Sequence, residues 1–335
     1  MNIVTIIGTR PQYIKLKPLY DYCKNNNISN SIVDTNQHYS ANVSTDLIKE
    51  LDLEIDYNLA IYGDNEMSFL SNGMDVLYGF FSRFSSNKND KTVVVMGDTN
   101  STLVASMVAK KMGYRVVHVE AGVRCYDSNS PEEINRLMVD SIADIHFTSR
   151  VKDNQNVSNP VYVGDLEYNF LNSIENEQIF GISYDKSILL TIHRQENMTA
   201  SRLNTIFKFC GKLHYPIIFP IHHRTAKFVK DNNIEIPINI NVVDPVGYFT
   251  IISMMRECRG IITDSGGITK TAPFFGKKVI VPMDKWEWDE VFTEGYATNK
   301  LDEGWFDQYR VARKMDLYHV ENSCELIVNK ILEEE

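Results

Sequence analysis

TVVVMGDTNSTLVASMVAKKMGYRVVHVEAGVRCYDSNSPEEINR, residues 92–136, is the stretch from which the fold is read. Thr92–Met96 is short, β-branched and uncharged, as suits a strand buried on both faces. It stops at Gly97-Asp98-Thr99. Ser101–Lys111 then puts Leu103, Val104, Met107 and Val108 on one face at helical spacing, and Gly113 supplies a C-cap. Arg115–Val119 is the next strand, followed by Glu120-Ala121-Gly122. Strand, helix, strand in this order predicts a βαβ unit with parallel strands.

Both strands end in a carboxylate. In an open parallel sheet, ligands bind beyond the carboxyl ends of the strands, so Asp98 and Glu120 are expected side by side at such an edge. Pro131-Glu132-Glu133 adds a third acid, Glu132, where Pro131 suits the first turn of a helix. Carboxylates converging on one cleft raise each other's pKa and then carry protons at neutral pH. The plainer alternative makes Asp98 a helix cap and Glu120 a loop residue.

The chain has 335 residues, a length that suggests two domains. Its apolar share of 43% and charged share of 23% are those of an ordinary globular protein. A net charge of −10 argues against a nucleic-acid surface but leaves room for a small anion held by local Arg and Lys. Five scattered cysteines without a C-x-x-C suit a reducing cytoplasm, and argue against a disulfide frame or a zinc cage. No apolar run reaches membrane-spanning length, and Ile3–Ile7 reads as a first strand rather than a leader.

The alternation continues along the chain. Asn2–Ile7 is a strand, and Gly8-Thr9-Arg10-Pro11-Gln12 is its turn. Tyr13–Lys24 reads as a helix broken or kinked at Pro18. Arg10 and Lys15 lie at that strand-to-helix junction, which suits a phosphate or a carboxylate; an exposed basic pair is the alternative. Glu66–Phe84 reads as a long helix whose stripe of Met67, Leu70, Met74, Leu77, Phe80 and Phe81 is core. Residues 85–90 form a polar linker. In the second half, strands end at His193, at His222-His223, at Asp244, at Asp264-Ser265-Gly266-Gly267 and at Pro282. Residues 321–335 read as an amphipathic helix. Arg10, Asp98, Glu120, His193, His222 and Asp264 thus all follow strands. Two doubly wound domains facing each other would gather them in one cleft.

The chemistry of these ends is legible in outline. Gly266 and Gly267 allow close backbone approach and the following helix start favours negative charge, so Ser265-Gly266-Gly267 reads as a diphosphate seat; a tight turn needing glycine for itself is the alternative. His193 and His222 can donate to phosphate or carry protons, or simply be structural. His222 and His223, adjacent on a strand, would point apart, against a metal site. Tyr248 could stack on a flat base or pack on the core.

Together these residues resemble the non-hydrolysing UDP-N-acetylglucosamine 2-epimerase family. The matching runs are G-T-R-P-Q at 8–12, Q-H-Y at 37–39, G-D-T-N-S-T-L at 97–103, H-V-E-A-G at 118–122, P-E-E-I-N-R at 131–136, H-R-Q-E-N at 193–197, D-P-V-G-Y at 244–248 and T-D-S-G-G at 263–267. Gln12, the Gln37-His38-Tyr39 run and Glu287-Trp288 resemble the branch acting on UDP-2,3-diacetamido-2,3-dideoxyglucuronate.

The resemblance implies two Rossmann-like domains of the GT-B-like kind, at residues 1–167 and 168–316, with a C-terminal helix at 317–335 crossing back to the first. It implies inversion at C2 of a nucleotide-linked N-acetylated sugar by elimination and re-addition of the nucleotide diphosphate. Asp98, Glu120, Glu132 and His193 would be catalytic. Arg10, Lys15, Arg136, His222, Ser265, Gly266 and Gly267 would hold diphosphate or sugar, and Tyr248 would lie against uracil. No metal, redox cofactor, nucleic acid or membrane is implied; the substrate would be UDP-linked and the enzyme a cytoplasmic homodimer. The chain departs from the family at Thr271, where a carboxylate usually meets the ribose, and at Ser40, so allosteric activation is not implied. The competing expectations are an epimerase on another nucleotide sugar, a GT-B glycosyltransferase, and a non-catalytic nucleotide-sugar binder.

Overall fold

The structure, a computed structural model, describes residues 2–37, 41–84, 91–174, 186–286, 288–307 and 318–333. His38, Tyr39, Ser40, Glu287 and the linker at 85–90 lie outside the described residues. The chain divides into two compact units, Met1–Glu175 with Tyr318–Glu335, and Asn176–Leu317. The first therefore runs on to Glu175 rather than ending at 167.

The first unit holds β1 (Asn2–Ile7), β2 (Asn30–Asp34), β3 (Tyr57–Asn58), β4 (Lys91–Met96), β5 (Arg115–Ala121), β6 (Ile145–Thr148) and β7 (Pro160–Tyr162). Among the described residues they form one sheet, in the order β3-β2-β1-β4-β5-β6-β7, with every neighbour parallel. Val93, Val94, Val95 and Met96 are fully buried, as the uncharged run required. Helices Glu66–Phe84 and Asn100–Lys111 cover the sheet around Val4, Ile6, Val95, Val104 and Tyr114.

Two expectations are corrected here. Met67 is 71% exposed and Met74 37%, so neither is core. The buried row of that helix is Phe69, Gly73, Leu77 and Phe81, four residues apart. The glycine in this row carries no apolar side chain, so a hydrophobic stripe drawn from the sequence slides off it. Pro18 lies inside helix Arg10–Asn25 rather than breaking it. Proline removes one internal hydrogen bond, and burial of Tyr13, Ile14, Leu16, Leu19 and Cys23 on the same helix outweighs the loss.

The C-terminal segment belongs to the first unit. Asp165 N–H donates to Tyr318 O at 2.6 Å, Ser323 Oγ to Val163 O at 2.5 Å, and an Arg115 guanidinium nitrogen to Ile331 O at 3.0 Å. Helix Ser323–Glu333 buries Ile327, Val328 and Ile331.

The second unit repeats the plan with β8 (Ile188–Thr191), β9 (Ile217–Pro220), β10 (Ile240–Val243), β11 (Gly260–Thr263), β12 (Val279–Ile280) and β13 (Ala297–Thr298). Their order is β10-β9-β8-β11-β12-β13, again parallel. Leu190, Phe207, Phe219, Ile262 and Ile280 share its core. Strand order therefore reverses between β1 and β4 in one sheet and between β8 and β11 in the other. A doubly wound sheet opens its ligand crevice at such a reversal. Among the described residues no helix is long and apolar enough to cross a membrane.

Candidate active site

At the first reversal the turn after β1 meets the turn after β4, and Gln12 fastens them together. Its Oε1 accepts from the Gly8 and Thr9 N–H groups at 2.8 and 3.0 Å, and its Nε2 donates to Met96 O at 2.7 Å and Thr102 Oγ1 at 2.9 Å. Such a fully used, buried amide fixes both turns. Gly8 is needed for approach: a Cβ there would stand 2.1 Å from Thr35 Oγ1 and 2.3 Å from Ser101 Oγ. Those two hydroxyls are 2.6 Å apart, and Gln37 Oε1 accepts from Ser101 N–H and Oγ–H at 2.9 and 2.7 Å. Arg10 opens the helix, half-buried; burial lowers its guanidinium pKa and Glu50 offsets part of that.

Asp98 follows β4 and pairs with Arg136 at 2.5 Å. Asn135 Nδ2 donates to Asp98 O at 2.9 Å and to Asn100 Oδ1 at 3.0 Å, tying helix Pro131–Ile142 to this turn. Asp98 is not the helix cap, a role taken by Thr99, which accepts from Thr102 N–H. A pocket of about 540 Å³ opens here, lined by Thr9, Gln37, Asp98, Asn100, Glu132 and Asn135 among others. Glu132 is exposed and accepts from Ser130 Oγ–H at 2.9 Å. Its neighbour Glu133 is buried instead. Burial alone would raise the Glu133 carboxyl, but the Cys125 and Tyr126 N–H groups and Arg136 outweigh it and hold the group below the usual carboxylate range.

Glu120 sits in a bulge of β5, where the register against β6 shifts between Val119 and Ala121, and its φ of +67° is left-handed. A non-glycine residue held there is strained by about 1–3 kcal/mol and marks a functional candidate. The bulge leaves the carboxylate ion-paired with Lys15, both side chains 11% exposed. Behind it lies a buried set that reading the sequence missed. His118 Nδ1 and Asp140 Oδ1 are 2.7 Å apart, and His118 Nε2 lies 2.8 Å from Gly97 O. Asp140 also pairs with Arg124 at 2.6 Å and accepts from Gly122 N–H at 3.1 Å. Burial would raise the Asp140 carboxyl; His118 and Arg124 more than reverse this and hold it low. His118 stands in the quoted stretch, but Asp140 gave no signal because nothing in its helix marks which face meets β5.

At the second reversal Asp264 organises the site. Its carboxylate accepts from the His193 N–H and Arg194 N–H at 3.0 Å each and from Asn197 Nδ2 at 3.0 Å, while His193 Nδ1 stands 3.3 Å from Oδ1. Asp264 is buried, and His193 is partly open to solvent. The His222 ring lies 6.2 Å from that of His193, centroid to centroid. His222 and His223 do not lie on a strand, contrary to the expectation from the sequence. β9 stops at Pro220, and His222 is the N-cap of helix His223–Asp231, its Nδ1 accepting from Arg224 N–H at 3.3 Å. Burial, then the charges of His193, Arg224 and His223, lower the His222 pKa. Ser265 caps the short helix Gly266–Thr271. Tyr248 is not in a loop but opens helix Tyr248–Glu257 after Gly247. Thr271 is buried at the end of its helix, beside a buried Lys270 whose ammonium lies 5.2 Å from the Trp288 ring.

In the first unit the structure thus gathers Asp98, Glu132 and Arg136 at one turn, and Glu120 with Lys15 at the adjacent strand end. Arg10 shares the helix start with Gln12. In the second it gathers His193, His222 and Ser265-Gly266-Gly267 at the ends of β8, β9 and β11. Among the described residues, no group of three His, Cys, Asp or Glu side chains is arranged to hold a metal ion.

Comparison with known proteins adds the following. Residues 21–303 match the family described as UDP-N-acetylglucosamine 2-epimerase. A UDP-2,3-diacetamido-2,3-dideoxy-D-glucuronate 2-epimerase of Pseudomonas aeruginosa is 32% identical over 88% of this chain and 87% of its own. A UDP-N-acetylglucosamine 2-epimerase of Methanocaldococcus jannaschii is 34% identical over the same shares. A crystal structure of the M. jannaschii UDP-GlcNAc 2-epimerase with UDP-GlcNAc and UDP superposes with a TM-score of 0.86 at 30% identity, covering 100% of both chains.

Proposed function

This chain belongs to the UDP-N-acetylglucosamine 2-epimerase family and is a nucleotide-sugar 2-epimerase, an isomerase; from that premise we propose how its own residues carry the reaction. The substrate is a UDP-linked N-acetylated sugar. A carboxylate takes the C2 proton while the C1–oxygen bond to the diphosphate breaks, leaving a glycal. A proton returns to C2 on the other face and the diphosphate oxygen adds back to C1. Asp98 and Glu120 are the proton carriers, with Glu132 on the same pocket wall as Asp98 and His193 a further participant.

The observation that carries this reading is the pairing of each strand-end acid with its own cation, Asp98 with Arg136 and Glu120 with Lys15. An arriving diphosphate competes for those cations and frees the carboxylates for proton transfer as the leaving group is neutralised. Arg10, Lys15 and Arg136 serve that purpose in the first unit. In the second, His222 and Ser265-Gly266-Gly267 hold diphosphate and Tyr248 lies against uracil. The enzyme works as a homodimer in the cytoplasm, a setting that suits five free thiols.

Incubation with UDP-GlcNAc in D2O, followed by NMR at C2, tests the reading. Deuterium enters C2 and the epimer accumulates without any acceptor. Asp98→Asn and Glu120→Gln each lower exchange by about 10²–10⁴-fold, the usual worth of a general acid or base, with UDP affinity nearly unchanged. Equal loss of binding and exchange would remove their proton-transfer role.

A further inference from the structure

Three side-chain amides line the pocket beside Asp98, and the backbone decides which end of each is used internally. Ser101 N–H can only donate, so the Gln37 atom that meets it at 2.9 Å is the oxygen, which also accepts from Ser101 Oγ–H at 2.7 Å. Asp98 O can only accept, so the Asn135 atom 2.9 Å from it is the nitrogen, and that nitrogen also donates to Asn100 Oδ1 at 3.0 Å. One end of each amide is thereby taken. Among the described residues Gln37 Nε2 and Asn100 Nδ2 donate no hydrogen bond, and Asn135 Oδ1 accepts none. Asn135 is only 4% exposed, and an amide oxygen at such burial calls for a partner. All three residues line the pocket of about 540 Å³, to which Pro11 and Phe69 add apolar surface.

We propose that Gln37, Asn100 and Asn135 form the seat for the acetamido group on C2 of the substrate. The inference rests on the epimerase reading given above and names what recognises the N-acetylated sugar. An acetamido group has a carbonyl that accepts, an N–H that donates and a methyl that avoids water. The pocket offers the complement of each: the Gln37 and Asn100 NH2 groups for the carbonyl, Asn135 Oδ1 for the N–H, and Phe69 with Pro11 for the methyl. An anionic substituent does not suit it, because Asp64, Glu66, Asp98 and Glu132 line the same pocket and like charges repel. A hydroxyl in the same place satisfies only part of the set and leaves the rest unpaired, which is how a site built for hydrogen bonding discriminates. The position is C2 because Asn135 is bonded to the backbone carbonyl of Asp98, the residue assigned to the C2 proton. A seat on the substituent of C2 holds that carbon in place while its proton leaves one face and returns on the other.

Titration calorimetry on the whole chain with UDP-GlcNAc and with UDP-glucose, which carries a hydroxyl in place of the acetamido group, tests the seat by binding alone. The wild type binds UDP-GlcNAc about tenfold or more tightly, as the extra hydrogen bonds require. Gln37→Glu and Asn100→Asp keep the oxygen that Ser101 or Asn135 donates to, so both fold, with circular dichroism as the check, but each replaces the NH2 donor by an oxygen. Each lowers the preference for UDP-GlcNAc by about threefold or more. The two ligands carry the same diphosphate, so their ratio cancels the general repulsion that an added carboxylate exerts on both. A wild-type ratio near one, or a ratio that both variants leave unchanged, overturns the seat. Deuterium entry at C2 scores the epimerase reading separately. No exchange with the ratio and its loss in the variants intact sinks that reading and supports the seat; exchange with a ratio near one does the reverse.

Discussion

Asp140 is buried and joins His118, Arg124 and the Gly122 N–H, and through His118 reaches the Gly97 carbonyl just before Asp98. One buried carboxylate thereby fixes the ends of both β4 and β5. Its pKa, like that of Glu133, is held below the usual carboxylate range in the folded protein. A depressed folded pKa adds stability above the unfolded value of about 3.9, and that stability is lost as pH falls through the folded value. Asp140→Asn leaves Arg124 and His118 buried without their anion. It should cost about 3–5 kcal/mol at pH 7, as for breaking a buried pair from one side. The mutant should also lose less stability than wild type between pH 7 and pH 3. Urea titrations at the two pH values measure both, and an unchanged acid sensitivity would show that Asp140 is not the group responsible. At this scale the sequence reveals residues that follow strands, such as Asp98, Glu120 and His193. It hides Asp140 and Glu133, whose importance comes from partners distant in the chain.

Strand ends set the geometry at the next scale. β4 is followed by Gly97, and β5, with its Glu120 bulge, by Gly122, the glycines at φ +65° and +80°. A Cβ at Gly97 meets nothing within 4 Å, but one at Gly122 would stand 2.5 Å from Asp153 O, a backbone atom of the 3-10 turn Val151–Asn156. Gly97→Ala should therefore cost only the left-handed penalty, about 1–2 kcal/mol. Gly122→Ala adds a displacement of that turn and should lose about 1–3 kcal/mol more, as well as slowing C2 exchange because Glu120 is two residues away. Thermal unfolding of the two variants separates the terms; equal losses would mean that the Asp153 carbonyl yields freely. The βαβ order was readable because short apolar runs alternate with 3.6-residue periodicity. The bulge was not, since it arises from β5 pairing against β6. The buried face of helix Glu66–Phe84 is hidden from the sequence for a related reason: its row includes Gly73, which no hydrophobicity pattern marks.

Over the whole molecule, the repetition carried most of the information. Both sheets share the order of a doubly wound fold, with the polar strand ends at the reversals between β1 and β4 and between β8 and β11. The regularity of polar residues after strands was visible without coordinates because chain topology sends every parallel strand's carboxyl end to the same edge. The short strands β3 and β13 were not visible, being two residues each and without periodicity. The cysteines were legible in number and spacing, and their environments now yield a prediction that samples both units. Burial pushes Cys23 up to about 11 and Cys210, Cys258 and Cys324 up to about 12, and raises Cys125 as well. The thiolate is the reactive species, so at pH 8 these four thiols hold less than about 1% of it. Cys210 and Cys258 are also shut off from solvent, in the second unit's core, whereas Cys125 lies partly exposed in the loop after β5. Disulfide-exchange reagent added to the native protein should therefore modify Cys125 first, slowly, and the partly exposed Cys324 after it because its thiol is pushed higher, with Cys23, Cys210 and Cys258 appearing only in denaturant. Prompt native reaction of the buried Cys23 would mean that the packing around it in the first unit opens far more readily than its burial implies.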